Sequence, residues 1–203
     1  MLFASFHFLN PGPLIDGELE LGPPREHAID AVLSACRDPA AAVESPSEAA
    51  VSRSQLLDYV YQFPNGHEPG DRGRVPCYHF WMYLRDPPET ATGRPRPLRV
   101  AGGISLRAQT TRAIEMYYGH VGYRVYPFAR GRHYAERACR LLLPLARQHG
   151  IQPLWITCNP DNLASRRTCE RLGANLVEIV PVPPRDPLYQ RGDHEKCRYR
   201  LDL

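Results

Sequence analysis

The sequence predicts one mixed α/β domain, and three observations carry that expectation. At 203 residues, with 43% apolar and 23% charged side chains, the chain is long enough for one buried core and too short for several. Segments of helical apolar periodicity alternate with short runs of β-formers along its length. At 123–138 a strand passes through a basic turn straight into a helix, and that junction is where the chemistry is to be sought. The 21 prolines and 15 glycines lengthen the loops without reaching the roughly 25% combined share at which disorder becomes the better reading.

Residues 1–9 are apolar but lack a basic region and a small-residue cleavage site, so they read as an extra strand or arm rather than a signal peptide. Ile29, Val32, Leu33 and Cys36 fall at i, i+3, i+4 and i+7 behind Pro23 and Pro24, which predicts a helix over 25–38. An Ala/Pro/Ser/Glu stretch, 39–50, separates it from a shorter helix over 52–61, capped by Ser52 or Ser54. Residues 62–74 are loop by composition. The aromatic-rich alternation of 77–84 reads as a strand, as does 98–106, with an open hairpin loop at 86–97. Residues 114–126 read as a strand in which Gly119 and Gly122 mark a bulge or a close backbone approach. A helix is expected from His133 to about Gln148, stopped by Gly150, with Pro144 kinking it or loosening its last turn. A short buried strand (154–158), a helix (161–172) ended by Gly173 and closing strands at 175–182 and 196–201 complete the order. Residues 183–193 form a long polar excursion between the closing strands.

Basic residues exceed acidic ones by 25 to 22, and Lys196 is the only lysine in the sequence. Acidic side chains are interspersed among the arginines with no basic block, which argues against a nucleic-acid surface. No run approaches the ~20 apolar residues of a membrane helix. The six cysteines lie far apart without metal-ligand spacing and read as buried free thiols in a reducing cytoplasm. Cys77 and His79 alternate on one strand face, but no second ligand pair accompanies them, so no metal is expected. The G-x-S-x-G elbow and the G-x-x-x-x-G-K-[ST] and G-x-G-x-x-G phosphate loops are absent.

The turn at 130–133 offers backbone N–H groups and the positive end of a helix to an anion, with Arg130 and Arg132 reinforcing the field and Gly131 allowing close approach. Gly122-Tyr-Arg-Val-Tyr-Pro-Phe-Ala-Arg-Gly-Arg-His-Tyr-Ala135 is followed about 25 residues later by Thr157-Cys-Asn-Pro-Asp-Asn-Leu-Ala-Ser-Arg-Arg-Thr-Cys-Glu-Arg-Leu-Gly173. The pair resembles, in order and spacing, the two cofactor-binding motifs of the GCN5-related N-acetyltransferase (GNAT) family, and in particular bacterial predicted acetyltransferases. The resemblance covers residues 101–182. It implies a largely antiparallel central sheet whose fourth and fifth strands splay apart, with flanking helices and an acyl-CoA in the opening. Tyr123 and Val125 would offer backbone groups to the pantetheine arm. The amides of Arg130, Gly131, Arg132, His133, Tyr134 and Ala135 would hold the diphosphate. Asn162 would contact the pantetheine, Ser165 would share its helix face, and Arg166 would help at the same cleft. Two positions depart from the family pattern. His133 stands where a second small residue is usual and is expected to enter the helix with a helical φ, and Phe128 occupies the loop's first position. Cys169 stands where many members carry the tyrosine that protonates the departing thiolate.

What the resemblance implies is transfer of acetyl from acetyl-CoA, without a metal, to a primary amine by direct attack. His120 is the candidate base and Glu115 the runner-up. Cys169 is the candidate acid, against a reading in which it only packs and water, Ser165 or another tyrosine donates. The chain divides into an acceptor-side part (1–100), an acyl-CoA core (101–182) and a loop with a closing strand (183–203). Tyr189, Asp186 and Asp193 on the polar excursion are candidate contacts for a cationic acceptor, a small-molecule or peptide amine. A homodimer is open; nucleic acid and membrane are not expected partners. The alternative is a GNAT-fold protein that binds acyl-CoA as a sensor or partner without catalysing transfer.

Overall fold

The computed structural model describes residues 6–70, 74–85 and 98–203. Ahead of the first helix, but after the 1–9 segment expected as a strand or arm, stands a hairpin, β1 (Leu14–Asp16) and β2 (Leu19–Gly22), turning at Gly17-Glu18 with Gly17 at φ +56°. Glycine as the first loop residue supplies the positive φ that a two-residue hairpin requires. Residues 6–13 form an arm with no strand: the Leu9 amide donates to the Tyr78 hydroxyl at 2.7 Å, and Phe8 stacks on His67 at 4.3 Å. Residues 1–5 and the 86–97 loop lie outside the described residues.

Helix α1 (Ile29–Cys36) follows as the apolar stripe predicts. The stretch 39–50 is not a bare connector. It holds two short helices, α2 (Pro39–Glu44) and α3 (Pro46–Ala49), each starting with a proline, whose fixed φ and missing N–H suit a first turn. Ser52 caps α4 (Arg53–Gln62) in a reciprocal box with Gln55, which settles the choice between Ser52 and Ser54.

The larger sheet has the order β1-β2-β4-β5-β6 and is antiparallel throughout, with β3 (His67–Glu68) pairing the start of β4 (Cys77–Leu84). Strands β5 (Arg99–Arg107) and β6 (Val121–Val125) complete it. Residues 114–118 are a π-helical turn, not strand. Tertiary contacts override their β-forming side chains: the Glu115 and Tyr117 carbonyls accept from Arg198 (2.7 Å) and Thr157 (2.8 Å), and the Tyr118 hydroxyl donates to Asp186 at 2.8 Å.

One face of this sheet, with Tyr78, Phe80 and Met82, packs on α5 (Tyr134–Gln148), which runs unbroken through Pro144. The other, with Trp81, Tyr83 and Tyr126, packs on α1 and α4. The second sheet is β7 (Leu154–Cys158), β9 (Glu195–Leu201) and β8 (Asn175–Pro181), in that order and antiparallel. Helix α6 (Leu163–Leu172) precedes β8 and the short α7 (Pro187–Gln190) lies in the excursion before β9. All six cysteines are buried and unbridged. No helix among the described residues is long and apolar enough to cross a membrane.

The expected splay is the seam between the two sheets. β6 and β7 meet at one end only, where the His120 amide donates to the Trp155 carbonyl at 2.7 Å and the Trp155 amide donates to His120 Nδ1 at 2.9 Å. Gly119 makes this approach possible: its φ is +65°, and a Cβ there would lie 2.9 Å from the Thr157 amide nitrogen. Beyond that apex the strands diverge.

Candidate functional site

The opening between β6 and β7 leads into a cavity of ~590 Å³ that runs along β6, over α6, to the start of α5. Backbone direction explains its polar floor. The Tyr126 amide bonds to Ala101 O and the Arg107 amide to His120 O, so even-numbered β6 residues turn their peptide groups toward β5. Tyr123 and Val125 therefore turn theirs toward the opening, and no backbone bond to β7 meets them among the described residues. The Val125 carbonyl is taken by Arg130 Nε at 3.2 Å.

At the far end, α5 starts at Tyr134 with no side-chain cap, so its first amides lack intrahelical partners at the cavity wall. His133 does not enter with a helical φ: it sits at φ +57°, ψ +25°, in the left-handed region. This conformation favours glycine, and histidine is among the non-glycine residues that enter it more readily, which is how His133 can stand in place of the family's usual small residue. Gly131 also has positive φ, +80°, and lines the cavity with His133, Tyr134 and Ala135. Tyr134 is core apart from its hydroxyl, which donates to Glu18 at 3.0 Å. Arg132 is exposed and is not among the lining residues.

Arg130 lines the cavity but is engaged: both its terminal nitrogens meet the Glu44 carboxylate, one at 2.6 Å, and the pairing holds that carboxyl below the usual range. Arg124 is likewise paired with Glu48. Helices α2 and α3 thus lay two carboxylates across two cations of the site, a contact the sequence reading did not foresee.

On α6, the Asn162 side chain caps the helix by accepting from the Ser165 amide at 3.0 Å, and both residues line the cavity. Arg166 turns away to the Tyr199 hydroxyl and the Pro160 carbonyl. Arg167 and Arg171 line the mouth instead, on the i, i+3, i+4, i+7 stripe of Ala164, Arg167, Thr168 and Arg171. That stripe is visible in the sequence, but the 162/165/169 face drew the attention. Cys169 is fully buried outside the lining, and its bond to Cys158, together with burial, holds its thiol strongly protonated. The Tyr123 hydroxyl, on the cavity side of β6, lies 2.7 Å from Ser165 Oγ and its pKa is pushed up by burial.

His120 is fully buried at the apex. Nδ1 accepts from Trp155 and Nε2 lies 2.9 Å from Thr110 Oγ1, so the neutral ring donates from Nε2; burial pulls it down to about 4. Glu115 sits on the π-turn outside the lining residues. The polar excursion is also elsewhere: Asp186 caps α7 and holds Tyr118, Asp193 bonds Asn159 (2.5 Å) and Lys196 (3.0 Å), and Tyr189 packs edge-on against His194. On the opposite sheet face a second groove of ~250 Å³ carries His79, Trp81 and Ser105 and shares Tyr123 and Arg124 with the first.

Comparison with known proteins agrees with this architecture. The chain is similar to the microcin C7 self-immunity acetyltransferase MccE, whose structure holds acetyl-CoA and AMP (14% identity, 93% of this chain and 94% of that one, TM-score 0.64). It is also similar to RimL, a ribosomal L7/L12 alpha-N-protein acetyltransferase solved with coenzyme A (16% identity, 94% and 98%, TM-score 0.62). A partial likeness, 28% identity over 102 residues, links 48% of the chain to nitrogenase iron protein 1 of Methanothermobacter thermautotrophicus, of whose length it spans 34%. Residues 18–175, which hold β2, the splayed strands and both cavities' walls, match the acetyltransferase (GNAT) domain, and the chain belongs to the GNAT acetyltransferase family.

Proposed function

We propose that the protein transfers acetyl from acetyl-CoA to a primary amine by direct attack. The observation that carries this reading is one continuous cavity joining the free peptide edge of β6 to the uncapped start of α5. A strand edge suits the amides of a pantetheine arm, and a helix N-terminus suits its diphosphate. Arg130, Arg167 and Arg171 supply cations at the phosphate end, and the amides of Gly131 to Ala135 the donors. The acyl carbonyl lies at the β6 edge, where the Val125 amide polarises it. The amine nitrogen bonds the acyl carbon, the C–S bond breaks, and the thiolate takes a proton from Tyr123, which Ser165 orients. Cys169 packs behind this site, and His120 holds the apex rather than acting as base. Residues 1–100 form the acceptor side, 101–182 the donor site, and 183–203 a buttress for the second sheet.

Incubating the protein with acetyl-CoA and a panel of amines, while following free thiol, tests the reading. Amine-dependent thiol release is expected; tight acetyl-CoA binding without release assigns the chain to acyl-CoA sensing instead. A further expectation concerns Glu44. An entering diphosphate must displace its carboxylate from Arg130, and a half-exposed ion pair is worth at most about 1 kcal/mol. Glu44→Gln is therefore expected to tighten acetyl-CoA binding by about two- to fivefold in calorimetry, and unchanged or weaker binding counts against Arg130 as a phosphate ligand.

A further inference from the structure

We propose that Glu68 and His79 form the carboxylate–imidazole pair that takes the proton of the acceptor, and that the groove beside them admits a primary ammonium on a slender chain. The inference rests on the transferase reading above and adds the acceptor half of the site. His79 stands in the middle of β4 with Nε2 2.7 Å from Glu68 Oε2. Its ring stacks on Phe63 (centroids 5.4 Å) and meets the edge of Tyr59 (5.8 Å), so its orientation is fixed. A carboxylate accepts only from N–H, which places the ring proton on Nε2 and leaves Nδ1 as the basic nitrogen. Glu68 is itself held by Arg74 at 2.9 Å.

The sheet register connects this pair to the donor strand. His79 lies opposite Ser105, and Ser105 opposite Gly122, in one row crossing β4, β5 and β6. Two strand spacings put His79 about 10 Å from β6. Only a hydroxymethyl group and a hydrogen project between them, which is why a groove exists there. Trp81 and Tyr59 wall it with aromatic surface, which favours a primary ammonium, and Arg124, whose charge is paired with Glu48, lines it from β6. Tyr123 lines both this groove and the donor cavity, so an amine lying over Ser105 and Gly122 reaches the acyl carbon at β6. One ammonium proton passes through water to His79 Nδ1, the nitrogen bonds the acyl carbon, and the C–S bond breaks as the thiolate takes the Tyr123 proton; the second proton of the nitrogen restores Tyr123 by way of solvent, and the imidazolium releases its proton to solvent.

The titratable and charged groups around the pair are Tyr59 on α4, Arg74 before β4, Cys77 on β4 and Arg107 opposite it on β5. Glu68, Cys77 and His79 have ligand-type atoms within 4.8 Å of one another, but burial keeps the Cys77 thiol pushed up to about 11, so the group offers no thiolate to a metal ion. The experiment measures steady-state kinetics on the full chain with acetyl-CoA and the amine panel: hexapeptides differing in their first residue, spermidine and phenethylamine. His79→Gln is expected to lower kcat by about 10²- to 10⁴-fold, with the KM for acetyl-CoA within twofold and the acidic limb of the pH profile lost. Glu68→Gln, acting through the histidine, retains part of the rate with a shifted limb. Ser105→Leu blocks amine turnover while calorimetric acetyl-CoA binding stays at the wild-type value, which also reports that the fold is intact. Wild-type turnover and acidic limb in His79→Gln overturn the assignment alone. So does one equivalent of zinc bound by the wild type and lost in His79→Gln. Acetyl-CoA binding by the wild type without thiol release from any amine overturns the transferase reading, and this assignment with it.

Discussion

Acidification from pH 7 to 4.5 is expected to remove about 2 to 3 kcal/mol of folding stability through His120 alone. The ring is buried at the apex of the two sheets, accepts through Nδ1 from Trp155, and is pulled from 6.5 to about 4 chiefly by burial. A histidine whose folded value is depressed stays neutral in the native state while the unfolded chain takes up a proton. Stability is therefore complete above about pH 6.5 and is lost as pH falls toward 4, at 1.36 kcal/mol per unit. His67 and His149, also lowered by burial, act in the same sense, and Glu18, held at about 2 by Arg137, adds its loss only at more acid pH. Urea unfolding of wild type and His120→Asn at pH 7 and 4.5 isolates the His120 part, because the other groups cancel in the difference. Asparagine keeps an acceptor near the Nδ1 position and gives up the Thr110 bond, costing about 1 kcal/mol at pH 7. The variant is expected to lose about 2 to 3 kcal/mol less than wild type on acidification. Parallel losses in the two proteins contradict a neutral, buried His120.

Tyr123→Phe is expected to lower kcat by about 10²-fold while leaving acetyl-CoA affinity within twofold. Tyr123 lines the donor cavity, its hydroxyl lies 2.7 Å from Ser165 Oγ, and burial keeps it protonated. Loss of a positioned proton donor acts on the departing thiolate and not on ground-state binding. Ser165→Ala, which removes only the orienting partner, is expected to cost less. Cys169→Ala is the contrasting variant: the thiol is buried away from the cavity, so the rate should hold while the melting temperature falls, as for a small buried truncation. Single-turnover and steady-state kinetics on the three variants separate these outcomes. A rate loss confined to Cys169→Ala returns the acid role to the cysteine.

The same two residues mark the limit of what the sequence reveals. Cys169 and Ser165 are four apart on α6, close enough on the helix for a sequence reading to assign them one face. Packing divides them: Ser165 meets Tyr123 at the cavity and Cys169 meets Cys158 in the interior. Arg166 and Arg167 are adjacent in the chain, yet only Arg167 lines the cavity, since neighbours on a helix point about 100° apart. Likewise His120 has a residue type suited to a base, but burial and two hydrogen bonds make it a strut. The Glu68–His79 pair joins residues on two strands whose pairing no local pattern specifies.

By itself the sequence determined the α/β class, most element boundaries, and the strand–turn–helix and capped-helix segments that identify the family. These rest on periodicity, capping and turn chemistry, which act over a few residues. Tertiary structure alone decided that 114–118 coils rather than extends, that Glu44 and Glu48 cover the site's arginines, and which titratable side chains face the opening. Those outcomes depend on burial and on strand register between distant segments, where the cost of desolvating a polar group outweighs local preference.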